Sequence, residues 1–352
     1  LAAMAAQAKR PMLWCGAGAR YAGKAVQRLV DMGFGVVTSV NGRAVIPETH
    51  PMTLGAFQAT PEVEKFYETV DFMLIAGGRV RAHETRDLAL KLPANRAQID
   101  VDPTALGRTY GVAHFHIGDA EAALDALADR LQGKMKVAAD WAGDLAAVRT
   151  ATHLAYRKQI GPYANFPEIF RAAMPEDTFW VRDVTMSNTT WGNRLLPLSK
   201  PEQNIYPVGA AIGPGFQFGI GAAFGAGGAK TVAITGDGGF YLNMTELWTA
   251  TQEQPDVAIV VFNDAGYGVI KDIQDTLYGE RHYFADPIGP NLEGLAKLAN
   301  LPYFRVESEA EMGPKLKAAI DHDGPTLLEV DMTKIGKIPR YYTAPAYATK
   351  SA

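Results

Sequence analysis

Residues 231–268 read TVAITGDGGFYLNMTELWTATQEQPDVAIVVFNDAGYG, and the reading of the fold starts here. Thr231–Thr235 is a short apolar run that ends in Gly236-Asp237-Gly238, and Ala258–Phe262 is a second that ends in Asn263-Asp264. Between them Leu242–Gln254 carries the spacing of a helix. Strand, acidic turn, helix, strand and second acidic turn predict parallel strands in one sheet, with both turns opening on the same edge. An open parallel sheet binds its ligand at that edge, beyond the carboxyl ends of its strands.

Glycines on either side of Asp237 let the backbone approach a ligand closely and leave N–H groups free to donate. A lone turn of this kind is more often one in which the aspartate only caps a helix. The matched second turn favours a ligand. Asp264 adds a second hard oxygen donor and the carbonyl of Gly266 offers a third, the donor type that Mg²⁺ takes together with phosphate oxygens. The amides of Gly266–Gly268 open a helix, where partial positive charge favours an anion.

With these residues in view, the stretch resembles the signature of the thiamine diphosphate superfamily of acetolactate synthase, pyruvate decarboxylase and benzoylformate decarboxylase. Most members have Asn-Asn at the second turn; this chain has Asn263-Asp264, as a minority similar to catabolic acetolactate synthases do. The resemblance implies metal ligation by Asp237, Asp264 and the Gly266 carbonyl. It implies cofactor contacts from Gly236, Gly238, Gly239, Tyr267 and Gly268. Ile212, in Gly209–Gly215, aligns with the bulky residue that wedges between the two cofactor rings; the other reading is ordinary core. Thr185 and Ser187, in the polar run Asp183–Asn193, align with diphosphate contacts, with a capped surface loop as the alternative. Val269, Ile270 and Ile273 align with the substrate-pocket face, with ordinary core as the alternative. The glutamate of pyruvate decarboxylases is absent at Ile270 and the tryptophan of biosynthetic acetolactate synthases at Ile273, leaving an apolar wall suited to a 2-oxo acid.

Outward from this site the chain divides into 1–132, a connector with one helix over 133–160, a second domain over 161–335 and a tail over 336–352. The first part alternates strands (Met12–Cys15, Val36–Val40, Phe72–Ala76, Gln98–Val101) with helices (Tyr21–Met32, Thr85–Lys91, Ala120–Leu131). The fold class expected is α/β, with two doubly wound parallel-sheet domains. The first is Rossmann-like, but Gly16-Ala17-Gly18 lacks a third glycine and no acid follows the second strand, so NAD is not expected. The resemblance allows FAD there through Gly77-Gly78-Arg79, although the residues that follow depart from the FAD pattern. His114 and His116 have no adjacent ligand cluster and read as structural histidines.

The formal net charge of −4 gives no basic field for nucleic acid, and runs such as Val257–Phe262 are far too short to span a membrane. A single cysteine, Cys15, excludes an internal disulfide and is compatible with the cytoplasm. The resemblance covers the middle domain and the diphosphate-binding domain, and no part of residues 1–352 resembles the family's pyrimidine-binding domain, which carries the glutamate that activates the cofactor. The expectation is therefore half a site without its catalytic acid, completed in a homodimer or homotetramer by the pyrimidine domain of another subunit. The intact enzyme would be an acetolactate synthase-like carboligase, or a decarboxylase of a bulky 2-oxo acid. A non-catalytic cofactor- or nucleotide-binding module is the alternative from another class.

Overall fold

The computed structural model describes residues 1–339; most of the expected tail, residues 340–352, lies outside the described residues. The chain forms two compact units, one of Leu1–Ala155 with Pro197–Pro201, the other of Tyr156–Leu196 with the residues from Glu202.

The first unit is built on five parallel strands, β1 (Pro11–Cys15), β2 (Gly35–Thr38), β3 (Phe72–Ala76), β4 (Arg96–Asp100) and β5 (His114–Ile117), in the order β2-β1-β3-β4-β5. The runs PMLWC and FMLIA are buried at every position, as expected where both faces of a parallel sheet are covered. One face (Leu13, Val36, Leu74, Ile99) packs on Val26 and Leu29 of the Gly23–Asp31 helix and Leu124 and Leu127 of the Ala120–Leu131 helix. The connector helix is present as Trp141–Gln159. Trp141 stacks on Phe66 with centroids 5.2 Å apart and donates from Nε1 to the Gly33 carbonyl at 2.9 Å. Those contacts carry the first unit past residue 132, to Ala155. Pro197–Pro201 returns to it: Glu48 N donates to Leu198 O and Leu198 N to Glu48 Oε2, each at 2.9 Å, while Arg43 forks onto the same buried carboxylate at 2.8 and 2.6 Å.

The second unit holds six parallel strands, β6 (Phe179–Arg182), β7 (Asn204–Ile205), β8 (Thr231–Gly236), β9 (Val257–Asn263), β10 (Tyr303–Val306) and β11 (Thr326–Asp331), in the order β10-β11-β9-β8-β6-β7. One face (Val181, Ala233, Ile259, Leu327) packs on Phe216, Ile220, Leu247 and Ala296. The other carries an aromatic cluster in which Phe262 lies 5.9 Å from Trp191, and Phe170 lies 5.1 Å from Trp191 and 5.6 Å from Trp180. From β6 the chain goes to β7 on one side and then returns to β8 on the other. The carboxyl ends of β6 and β8 therefore form a topological switch point, with the end of β9 beside them.

Four local expectations change. Thr85–Lys91 is no helix: a 3₁₀ turn at Ala82–Glu84 is followed by left-handed backbone at Arg86, Asp87 and Leu88, and Thr85 Oγ1 turns back to the Arg81 carbonyl. The Leu242–Gln254 helix is two, Asp237–Leu242 and Glu246–Glu253, because Asn243 leaves helical geometry while its Nδ2 donates to Gly213 O at 3.0 Å. The polar run after Arg182 contains a π-helix, Asn188–Gly192. The glycine-rich stretch contains the helix Gly215–Gly225; a Cβ on Gly219 would come within 2.7 Å of Ala233 Cβ, so glycine lets this helix lie against β8.

Candidate functional site

At the switch point the first residue after β6 is Asp183, fully buried. Its carboxylate accepts from Val184 N at 2.6 Å, Gly213 N at 2.9 Å, Gly215 N at 3.3 Å and Thr235 Oγ1 at 3.0 Å. Burial raises its pKa above the ordinary carboxylate value, and these bonds oppose the rise. One side chain thus joins the end of β6, the 209–215 loop and the end of β8. The sequence reading did not single out Asp183, although an acid directly after an apolar strand is the signal that picked out Asp237 and Asp264.

Asp237 opens the Asp237–Leu242 helix, with Gly236 as its N-cap, and is buried. Its Oδ2 accepts from Gly266 N at 3.0 Å, which links the two acidic turns directly. The Asp264 carboxyl is near enough for the two acids to perturb one another. Burial, then the charge of Asp237, pushes the Asp264 carboxyl up to about 7; burial raises Asp237 as well.

The glycines here are set by close approach. A Cβ on Gly238 would collide with the Tyr267 ring, and one on Gly268 with Asp264 Oδ2. A Cβ on Gly239 would come 2.9 Å from Asp183 Oδ2, and one on Gly236 2.9 Å from Thr185 Oγ1. Gly236, Gly238, Gly239, Tyr267, Gly268 and Thr185 are therefore drawn together around the two acids. Ser187 is not on the crevice surface: its hydroxyl is fully buried and has no hydrogen-bond partner among the described residues. Ile212 is 48% exposed, one residue before the Gly213 amide that Asp183 holds, and so is not ordinary core. Val269, Ile270 and Ile273 are half-buried on the Gly268–Tyr278 helix, whose one fully buried residue is Asp272. Tyr267 N donates to the Ala285 carbonyl at 2.9 Å, and Lys271 pairs with Asp286 at 2.5 Å. The segment that follows this helix is thereby anchored beside the second acidic turn.

Comparison with known proteins gives this geometry a context. The family model for the thiamine pyrophosphate enzyme C-terminal TPP binding domain matches residues 183–330, and that for the central domain of the same enzymes matches residues 1–127. The chain belongs to the thiamine pyrophosphate enzymes. A probable 2-ketoarginine decarboxylase of Pseudomonas aeruginosa is 27% identical over 340 residues, 92% of this chain and 58% of that protein. A probable acetolactate synthase large subunit of Methanococcus aeolicus is 25% identical, covering 92% of this chain and 58% of the relative. The acetolactate synthase isozyme 3 large subunit of Escherichia coli is 28% identical over 290 residues, 78% of this chain and 50% of that protein. The chain spans between half and three-fifths of the length of these relatives.

The residues of the second unit fit what the thiamine pyrophosphate enzymes hold. A buried carboxylate, Asp237, beside a half-buried one, Asp264, is a donor set that suits a divalent cation, which in turn suits a diphosphate. The first unit does not fit a dinucleotide in the same way. Gly16 N donates to Ala76 O at 2.9 Å and Gly18 N to Gly77 O at 2.8 Å, so the amides of the Gly16–Gly18 turn are spent on backbone. Gly77 and Gly78 press against that turn where a diphosphate would lie, and Arg79 reaches Asp102 at 3.4 Å. The expected structural histidines lie on the edge strand β5, His114 half-buried and His116 exposed. Among the described residues no helix is long and apolar enough to cross a membrane.

Proposed function

We propose that this chain provides the metal- and diphosphate-holding half of a thiamine diphosphate- and Mg²⁺-dependent 2-oxo acid carboligase or decarboxylase, with acetolactate synthase-like carboligation as the first reading. The observation that carries the proposal is the adjacency of Asp237 and Asp264 at the carboxyl ends of neighbouring strands, with the Gly266 amide held by the Asp237 carboxylate between the two turns. In this reading Asp237, Asp264 and the Gly266 carbonyl hold the metal. Gly236, Gly238, Gly239, Thr185, Tyr267 and Gly268 form the surface on which the diphosphate rests. Ile212 supports the cofactor rings, and Asp183 holds the loop from which Ile212 projects. Val269, Ile270 and Ile273 give the 2-oxo acid a dry, apolar wall, where loss of a charged carboxylate is favoured. Bound thiamine diphosphate supplies the carbon nucleophile and the electron sink. A pyrimidine-binding domain of another subunit, in a homodimer or homotetramer, completes the site and brings the activating acid.

The relatives' names support both outcomes, carboligation in the acetolactate synthases and decarboxylation in the 2-ketoarginine enzyme. The test is CO₂ release by the full-length protein from a panel of aliphatic, aromatic and guanidino 2-oxo acids, with thiamine diphosphate and Mg²⁺. Release accompanied by a new acyloin or acetohydroxy acid supports carboligation, and release of the aldehyde alone supports decarboxylation. Failure on every 2-oxo acid sinks the proposal.

A further inference from the structure

Asn263 stands directly before the proposed metal ligand Asp264, and its side chain uses both ends. Its Oδ1 accepts from Ala265 N at 3.0 Å, closing the turn on itself, and its Nδ2 donates to Glu329 Oε1 at 2.8 Å. Glu329 lies in the middle of β11, 5% exposed, and its other oxygen accepts from the Tyr303 hydroxyl on the edge strand β10. The chain of bonds runs from β10 through β11 to the turn that follows β9. It ends at Ala265, which is left-handed (φ 56°), and at Gly266, whose amide reaches Asp237. An alanine holds that conformation only where its surroundings over-determine it.

We propose that Glu329 and Asn263 are positioning residues for the metal turn: Glu329, anchored by Tyr303, fixes Asn263, and Asn263 fixes the turn that presents Asp264 and the Gly266 carbonyl. The chemistry at position 263 is specific. The side chain must accept from Ala265 N and donate to a carboxylate at once, which an amide does and an aspartate facing Glu329 does not. Glu329 is well suited as the anchor because its backbone is locked between two parallel neighbours, β9 and β10. Carboxylates and carbonyls that orient a ligand-bearing segment govern metal affinity nearly as strongly as the ligands themselves.

The inference rests on the metal reading above, and two measurements on the full chain separate them. One is Mn²⁺ affinity, read from the free-ion paramagnetic resonance signal; the other is amide hydrogen exchange at Ala265 and Gly266 in metal-free protein. Asn263→Ala and Glu329→Ala are each expected to speed exchange at both amides about ten-fold and to weaken Mn²⁺ by about ten-fold. Exchange in the β8 and β9 cores should stay unchanged. Glu329→Gln, whose carbonyl still accepts from Asn263, is expected to rescue both readouts to within about two-fold of wild type. The double Ala variant should be no worse than either single one, because both act through the same turn. If Glu329→Ala does not fold, Tyr303→Phe carries the test, with a smaller acceleration at the same two amides. Wild-type exchange at Ala265 and Gly266 in Asn263→Ala overturns this inference alone. A Glu329→Gln variant as impaired as Glu329→Ala also overturns it, since charge rather than position would then be the cause. A wild-type chain that binds no Mn²⁺ overturns the metal reading and this inference with it.

Discussion

Gly266 N donates to Asp237 Oδ2 across 3.0 Å, so the turn after β9 is held by the side chain that opens the helix after β8. The Asp264 carboxyl lies near the same Asp237 carboxyl. Two acids are thereby kept close, and burial together with the neighbouring Asp237 charge raises the Asp264 carboxyl.

Asp264→Asn should keep the fold and alter what metal does to it. The amide removes the like-charge contact, so in EDTA at pH 8 the variant is expected to melt higher than wild type. Its melting temperature should rise less on adding Mg²⁺ than that of wild type. Paired thermal scans with EDTA and Mg²⁺ measure both effects; an unchanged Mg²⁺ response counts against the ligand role.

Wild type without metal should lose stability as pH rises through the acid range to neutrality. The Asp264 carboxyl titrates near 3.8 in an unfolded chain and near 7 in the folded one. Between those values the folded state holds a proton that the unfolded state has released, so unfolding becomes easier as pH increases. The contribution is fully present below the unfolded value and gone above the folded one, with an upper bound on the order of 4 kcal/mol. Urea unfolding at pH 5 and pH 8 in EDTA reads the difference, and Mg²⁺ should shrink it.

Asp183→Ala should be severe. It leaves the amides of Val184, Gly213 and Gly215 and the Thr235 hydroxyl without their acceptor in a buried place. The expected loss is about 3 kcal/mol in denaturant unfolding. Asp183→Asn, which keeps one accepting oxygen, should cost about half as much. Limited proteolysis should find the first new cut in 209–213.

Gly268→Ala tests the proposed metal turn from the opposite side. The added methyl would come against Asp264 Oδ2, so the carboxylate must leave its present position. Far-ultraviolet circular dichroism should be unchanged, and Mn²⁺ affinity should fall by about ten-fold or more.

The sequence made β8 and β9 readable because strands covered on both faces are written as unbroken apolar runs, and the acids after them stand at fixed offsets from those runs. The pair Asp237 and Asp264 was readable for the same reason. Other features depend on partners that only folding brings near. Asp183 meets Gly213 30 positions on and Thr235 52 positions on, and Asn263 meets Glu329 66 positions on. No local pattern marks such pairs. The break at Asn243 has the same origin, since its bond to the Gly213 carbonyl outweighs a helical preference that was correct for the residues around it. At Arg86–Leu88 three successive residues take left-handed backbone instead, a conformation that the Arg86 and Leu88 side chains do not announce.

The five residues Pro197–Pro201 belong to the first unit although they follow Tyr156–Leu196 of the second. During synthesis the first unit therefore cannot finish when its last strand and helices emerge. Glu48 waits for Leu198, and Arg20 for the Pro201 carbonyl that its Nε reaches at 3.0 Å, until residues 156–196 have also been made. Genetic dissection meets the same obstacle: a gene cut after Ala155 yields a first unit missing part of its own interior. Separate production of the two units should succeed only when 197–201 is supplied to the first through a short linker.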